Sequence, residues 1–376
     1  MCDVVCISGA SGQDGQELSH LLVSQGYTVI GIVRRSSQPR RYLNDLKQFG
    51  VKYVEGDITD YSSISKIVRE YKPDFFYHLA AQSNVGTSFQ EPLHTFDCTG
   101  KATLNILEVI KDNSPTTRFY NAASSEMFGC NYSMYHSDGF SNVLKHYNIK
   151  ETKVWEAAGH DKDTYLKLDK DRFWGIAFQD EDTPMKPMSV YGISKLAGFH
   201  ATRLYREAYG LFACSGILMN HEGPYRSLDF VTRKITNYVS RLKLAKENNQ
   251  NIEKLRLGNI ESYRDWSDAS DMVRGMKMIL ENEKPIDYLL ASGETYSVKE
   301  FARLAFEYIN ENYEDYIEID QNLIRPAEVD YLRGNPKRAN LELGWKPLIS
   351  FDNLINRMIE HDIKRTEIKF KTYGDI

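Results

Sequence analysis

The chain has 376 residues, enough to bury a large core as two domains or one large one. Lys and Arg number 47 against 52 Asp and Glu, a net charge of −5, with neither the basic stripe of a nucleic-acid binder nor a polybasic cluster for a membrane surface. No apolar run approaches the ~20 residues of a membrane span, and the first residues run almost directly into a strand, without the charged region and cleavage site of a signal peptide. The five cysteines (Cys2, Cys6, Cys98, Cys130, Cys214) are scattered and show no metal-ligand spacing. That pattern fits buried thiols in a reducing cytoplasm and no bound metal.

Residues 3–8 read as a short buried strand. A glycine-rich run, Gly9-Ala10-Ser11-Gly12-Gln13-Asp14-Gly15, follows, then an amphipathic helix through Leu18, Leu21 and Leu22 to Gly26, and a strand at Thr28–Val33. In this strand–turn–helix–strand setting, glycines let the backbone approach a pyrophosphate and the helix N-terminus offers it free N–H groups; the alternative is a purely structural turn. An NAD site usually places an acid at the end of the second strand. Here Arg34-Arg35-Ser36-Ser37 stands there, which suits the 2′-phosphate of NADP; the alternative is a solvated basic loop.

Alternation continues: a helix at 42–49, a strand at 51–55 ending in Gly56-Asp57-Ile58, a helix at 62–71, and a strand at 74–79 ending in Ala80-Ala81-Gln82-Ser83. A helix at 104–110 and a strand at 118–122, ending in Ser124-Ser125-Glu126, complete the series. The pattern implies a Rossmann-type, doubly wound parallel α/β sheet, with ligands outside the carboxyl ends of its strands. Asp57, Ala81 to Ser83 and Ser124 to Glu126 therefore face one crevice. A carboxylate at such a strand end is also a common helix cap, so Glu126 alone decides nothing.

From about 130 to 180 the pattern breaks into a polar and aromatic insertion with some helix expected around Ser141–Tyr147. A loop this long is either a binding segment or a surface and oligomer decoration. A helix then runs from Tyr191 to Tyr209 and stops at Gly210. Tyr191 and Lys195, four apart, share one helix face. An ammonium beside a phenol lowers its pKa and would make the tyrosine a usable base, although the spacing also arises by chance on amphipathic helices. A strand at 211–218, a helix at 230–243, a short strand before Leu257, a helix at 268–280, a strand at 287–291 and a helix at 298–309 complete the reading. Residues 1–218 are expected to form a dinucleotide-binding domain and 219–376 a smaller α+β substrate domain, with some segments crossing back.

These residues resemble an extended short-chain dehydrogenase/reductase, and more closely the GDP-mannose 4,6-dehydratase family. The matching runs include GASGQDG (9–15), VRRSS (33–37), GDITD (56–60), HLAAQS (78–83), SSEMFG (124–129), YGISKL (191–196), NHE (220–222), FVTRKI (230–235), LGN with RDW (257–259, 264–266), RPAEVDY (325–331) and LGWKP (343–347). The single motifs mark the superfamily; FVTRKI and RPAEVDY point to the dehydratase branch. The resemblance implies loss of water between C5 and C6 of a GDP-hexose, with Tyr191 taking the 4-OH proton, Lys195 tuning it, Ser124 bonding the 4-oxygen and Glu126 removing the C5 proton. It implies NADP held by Gly9, Gly12, Gln13, Asp14, Gly15, Arg34, Arg35, Ser36, Asp57, Ile58, Leu79, Ala81, Ser83, Tyr191, Lys195, His221 and Arg226. Ser83, Ser125, Glu126, Asn220, Lys234, Arg325 and Glu328 would face the GDP-sugar, and a homodimer or homotetramer is implied.

Three departures stand out. The family's NHESPRRG becomes Asn-His-Glu-Gly-Pro-Tyr-Arg-Ser (220–227), its PRSPY becomes Pro187-Met188-Ser189-Val190-Tyr191, and the insertion is extra. They leave the chemistry in place and open the sugar: GDP-mannose, or a GDP-linked heptose or N-acetylhexosamine. A sugar-nucleotide epimerase and a non-catalytic dinucleotide sensor are the competing readings. Glu126 speaks against the first, and the complete tyrosine, lysine and glutamate set against the second.

Overall fold

The structure, a computed structural model, describes residues 3–34, 49–137, 142–148, 157–158, 165–167, 174–324 and 329–373. Seven strands form the central sheet: β1 (Val4–Ser8), β2 (Thr28–Val33), β3 (Lys52–Glu55), β4 (Phe75–His78), β5 (Arg118–Ser124), β6 (Ala213–Leu218) and β7 (Tyr288–Leu290). Their order is β7-β6-β5-β4-β1-β2-β3 and every pairing is parallel. The chain reverses its winding between β1 and β4, the place where a doubly wound sheet opens a crevice. Register brings the strand ends level: Ser8 lies opposite both Ile32 and His78, and Ser124 opposite Leu218.

Eight longer helices are named here: α1 (Gln13–Ser24), α2 (Tyr61–Tyr71), α3 (Ala102–Asn113), α4 (Val190–Tyr209), α5 (Val231–Glu247), α6 (Ala269–Glu281), α7 (Val298–Glu307) and α8 (Phe351–Tyr373). Apart from the edge strand β3, which is only partly covered, the strands are buried on both faces, as a parallel sheet requires. One face packs with α1 and α6 around Leu18, Met272 and Met276; the other packs with α2, α3 and α4 around Ile64, Ile106 and Tyr205. A separate apolar core joins α5, α7 and α8 through Val239, Phe301 and Met358. The chain crosses back to the first unit through α6 and β7. At the sheet edge, the Glu181 carboxylate accepts the Leu289 N–H at 2.7 Å, engaging an otherwise pairable strand.

The expected elements recur with small boundary shifts, apart from three findings. Residues 142–148 form a strand, not a helix, paired antiparallel with Asn131–Ser137; the ladder overrides the local helical pattern. Two short helices, Val85–Gln90 and Pro92–Phe96, followed by a π-turn at Asp97–Lys101, precede α3, which the sequence reading started later. The C-terminal helix α8 is long, with Leu354, Ile355, Met358 and Ile359 buried on one face. The helix expected at 42–49 falls outside the described residues except for Phe49, which lies in a turn.

Candidate active site

A cleft of about 700 Å³ opens at the carboxyl ends of β4, β5 and β6 and is closed on its far side by segments between α5 and α7. The glycine turn lies beside it and contributes Asp14 to its lining. Gly9 adopts a left-handed conformation (φ +75°), and a Cβ there would sit 2.7 Å from the Ala80 nitrogen, so the position requires glycine. Gly12 caps α1 and supplies no side-chain acceptor, leaving the first-turn N–H groups available to an anion. This close approach and uncapped helix start fit a dinucleotide pyrophosphate.

Asp14 enters the cleft from the first turn of α1. Its carboxylate lies 3.0 Å from His221 Nε2 and accepts Gln13 Nε2 at 3.0 Å. Burial would raise its pKa, but the His221 pairing and the Gln13 bond hold it at about 2. His221 Nδ1 faces the Met219 carbonyl at 2.8 Å. The acceptors at both ring nitrogens favour the protonated imidazole, so its pKa is raised although burial works the other way. The short strand Asn220–Glu222, which carries His221, is fixed by parallel pairing with Trp266–Asp268.

The groups expected from the sequence to be reactive sit one strand over. Ser124 ends β5 and caps the following 3₁₀ turn by accepting the Glu126 N–H at 3.3 Å. Its hydroxyl hydrogen-bonds the Tyr191 phenol. Ser189 caps α4, accepting the Gly192 N–H at 3.0 Å, and so sets the start of the helix that presents Tyr191 and Lys195. Lys195 reaches back to β5 and donates to the Ala122 carbonyl at 2.6 Å. Burial lowers the Lys195 pKa to about 8. The Tyr191 phenol is pushed up to about 12, because burial outweighs the Ser124 bond and the Arg226 charge, while Glu126 raises it further. The expected lowering of the phenol by its lysine is therefore not realised here: the ammonium is 5.8 Å from the ring centroid and engaged by a backbone carbonyl.

The cleft thus gathers Asp14, Leu79, Ala81, Ser83, Ser124, Ser125, Glu126, Tyr191, Lys195, Asn220, His221, Arg226 and Lys234. Arg34 and Asp57 lie off it, at the ends of β2 and β3. Asp57 accepts the Thr59 N–H and hydroxyl at 2.9 and 2.7 Å, which, with a smaller pull from Arg34, lowers its pKa. The Ile58 side chain is packed in the core, while its carbonyl accepts Asn105 Nδ2 at 2.8 Å. Arg35, Ser36, Arg325 and Glu328 lie outside the described residues. The cleft also takes in Asn84, Thr87, Asp229, Asn259 and Arg264, to which the sequence reading gave no role. The LGN and RDW runs were the available signal for the last two. Among the described residues no group of three or more potential metal ligands occurs, and no helix is long and apolar enough to cross a membrane.

A Rossmann sheet with a serine, tyrosine and lysine set at the end of its fifth strand defines the short-chain dehydrogenase/reductase class. The family model described as GDP-mannose 4,6 dehydratase matches residues 6–137 and 175–358. GDP-mannose 4,6 dehydratase 2 of Arabidopsis thaliana is 37% identical over 373 residues, covering 96% of this chain and 87% of that protein. The Homo sapiens GDP-mannose 4,6 dehydratase is 34% identical over 389 residues (96% and 92%). Among solved structures, dTDP-glucose 4,6-dehydratase from Bacillus anthracis in complex with NAD has a TM-score of 0.74 at 16% identity, covering 97% of this chain and 98% of that one. RMD from Pseudomonas aeruginosa complexed with NADPH has a TM-score of 0.67 at 20% identity (96% and 99%). The chain belongs to the GDP-mannose 4,6-dehydratase family and is an enzyme, a hydro-lyase. The family match skips residues 138–174, the middle of the insertion.

Proposed function

We propose that this enzyme removes water from GDP-mannose to give GDP-4-keto-6-deoxymannose, with NADP as its cofactor. Dehydration of a GDP-sugar and use of a nicotinamide cofactor are the broader features of its family and fold relatives. GDP-mannose and NADP are the particular reading. The observation that carries the dehydration is the placement of Glu126 in one cleft with Tyr191 and Ser124, so that a second proton-transfer group accompanies the tyrosine.

A bound nicotinamide cofactor would supply reversible hydride transfer between C4 and C6 of the sugar. With the positive charge of an oxidised nicotinamide beside it favouring the phenolate against the burial that raises its pKa, Tyr191 would take the 4-OH proton, and Ser124 would hold the 4-oxygen through its hydroxyl. Oxidation at C4 makes the C5 proton acidic; Glu126 removes it and passes it to the C6 hydroxyl, which leaves as water, and the proton taken up by Tyr191 balances the one that C5 regains when hydride returns to C6. Lys195 ties α4 to β5 and keeps Tyr191 in reach of Ser124. His221 and Arg226 face the nicotinamide side, and Asn220 and Lys234 the diphosphate. On this reading Arg34, with the basic run that it begins, binds the 2′-phosphate. The enzyme works in the cytoplasm as a homodimer or homotetramer on this reading.

Incubation with a panel of GDP-, UDP- and CDP-sugars, read by mass spectrometry, tests the assignment. Loss of one water from GDP-mannose, without net consumption of NADP⁺, is expected. No dehydration product from any GDP-sugar would overturn it. Preference for a GDP-heptose or a GDP-N-acetylhexosamine would keep the reaction and change the sugar.

A further inference from the structure

The turn that delivers Arg226 to the cleft is gripped from behind by a buried ion pair. Arg233 on α5 and Asp362 on α8 lie 2.8 Å apart, and both side chains are 0% exposed. Arg233 Nη1 also donates to the Pro224 carbonyl at 2.6 Å. The other Asp362 oxygen accepts the Thr236 hydroxyl at 2.8 Å. One residue before Arg233, Thr232 donates to Glu222 Oε2 at 2.6 Å, and the same oxygen lies 3.1 Å from Arg226 Nε. The first turn of α5 therefore holds the 222–226 turn at two points. Arg226 is further seated over the Phe230 ring at 3.5 Å.

A fully buried ion pair is a poor device for stability, because desolvation offsets most of its attraction. It is an effective device for position. The guanidinium fork addresses Pro224 and Asp362 with different nitrogens, which a lysine could not reproduce. Breaking the pair would leave a buried charge and release Pro224. Asp362 also lies beyond residue 358, where the family match ends, so this anchor belongs to a part of the chain that the match does not cover.

We propose that Asp362 is a positioning residue for the active site, acting through Arg233 on the turn that carries Glu222 and Arg226. The assignment rests on the reading of Arg226 as a residue that faces the nicotinamide cofactor. Lys234, one residue after Arg233, faces the cleft, so a shift of α5 moves the substrate side as well.

The test compares the full-length protein with Asp362→Asn, which keeps the shape of the side chain and removes its charge. Ile359→Val, a change in the α8 core, serves as the stability control. Dissociation constants for NADP⁺ and NAD⁺ are measured by calorimetry on cofactor-stripped protein, alongside melting temperature and the kcat and KM of GDP-mannose dehydration. Asp362→Asn is expected to weaken cofactor binding about tenfold, whereas Ile359→Val lowers the melting temperature and leaves binding unchanged. In a double-mutant cycle, Arg226→Lys should cost less in the Asp362→Asn background than alone. Unchanged cofactor affinity, KM and kcat in Asp362→Asn, whatever its melting temperature, would overturn the proposal, as would strict additivity with Arg226→Lys. If Asp362→Asn does not fold, Thr236→Val applies a smaller perturbation to the same carboxylate. Its expected effect is a roughly threefold loss of cofactor affinity, and no loss would again overturn the proposal. A wild-type protein that binds cofactor but dehydrates no GDP-sugar would refute the function and leave the cofactor arm of this test intact.

Discussion

Gly192 packs so tightly against Glu126 that a Cβ at position 192 would lie 2.6 Å from the Glu126 carbonyl oxygen. The residue beside Tyr191 thus touches the backbone of Glu126, and this contact sets the spacing of the two proposed proton-transfer groups. Glycine inside a helix normally weakens it, and alanine there would ordinarily stabilise by up to ~1 kcal/mol. Here the order reverses. Gly192→Ala is expected to lower kcat/KM by about 100-fold, the scale of loss for a misplacement of about 1 Å. It should also lower the melting temperature, since the methyl would meet Pro187 Cβ at 3.0 Å. Kinetics and a thermal melt on the same preparation check both. A more stable, fully active variant would show that the contact has no part in placing the site.

The Asp14–His221 pair gives stability a defined pH window. The Asp14 pKa is lowered from 3.8 to about 2, so its contribution is present above 3.8 and is lost as pH falls through about 2. The His221 pKa is raised above 6.5, so its contribution is complete below 6.5 and is lost as pH rises through the higher folded value. His221→Asn should therefore lose most against the wild type between these limits, near pH 5 to 6 (about the middle of the window), and converge on it in alkali. Urea denaturation across the pH range measures this. A deficit that keeps growing as pH rises above 6.5 would contradict the pairing.

Arg34 is the one described residue of the basic run at the end of β2, and it is exposed. If it reads the 2′-phosphate, Arg34→Ala weakens NADP⁺ by about tenfold, the worth of one charge-assisted contact, and leaves NAD⁺ unchanged. Titration with both cofactors decides. Equal losses for both would move the 2′-phosphate contact elsewhere.

Gly223 stands where the family pattern has serine. A Cβ there would meet Ala269 Cβ at 3.4 Å and Gln13 Oε1 at 3.8 Å, which is ordinary contact distance, and Gln13 Oε1 is buried without a hydrogen-bond partner. A serine hydroxyl can reach that oxygen. Gly223→Ser is expected to stabilise by about 1 kcal/mol and to leave dehydration unchanged. A lower melting temperature would show that the site has no room for it. Tyr225, which replaces an arginine of the pattern, packs edge-on against His20 and His361 instead of entering the cleft.

The insertion closes at its root. Ser133 and Phe178 exchange backbone hydrogen bonds of 2.7 and 3.0 Å, and Tyr132 and Ala177 pack in one apolar cluster. Replacing residues 138–174 by a short glycine–serine linker should therefore keep the fold, with a melting temperature within about 5 °C of the wild type. Assaying the same variant on the GDP-sugar panel assigns the insertion: an altered sugar preference gives it a role in specificity, an identical one a role in structure or assembly.

Most of the sheet was legible because a parallel strand and its crossover helix differ in period and are bounded by glycine turns, as at Gly9–Gly15. The strand end at Ser124–Glu126 and the helix start at Tyr191 were legible for the same reason. What spacing could not supply was direction. Tyr191 and Lys195 share a helix face as expected, but whether the ammonium meets the phenol or the Ala122 carbonyl depends on the distance between α4 and β5, which no local pattern encodes. The strand at 142–148 was misread because its partner at 131–137, not its own composition, decides its conformation. The Arg233–Asp362 pair joins positions 129 residues apart (362 less 233) and left no local trace.

The central claim is that Glu126 turns a redox site into a dehydratase, and Glu126→Gln tests it most directly. The variant is incubated with GDP-mannose and NADP⁺ while water loss is followed by mass spectrometry and reduced nicotinamide by absorbance. Oxidation at C4 without elimination is expected, so reduced cofactor accumulates and the dehydrated product falls by about 100-fold or more. Water loss at the wild-type rate would remove Glu126 from the mechanism.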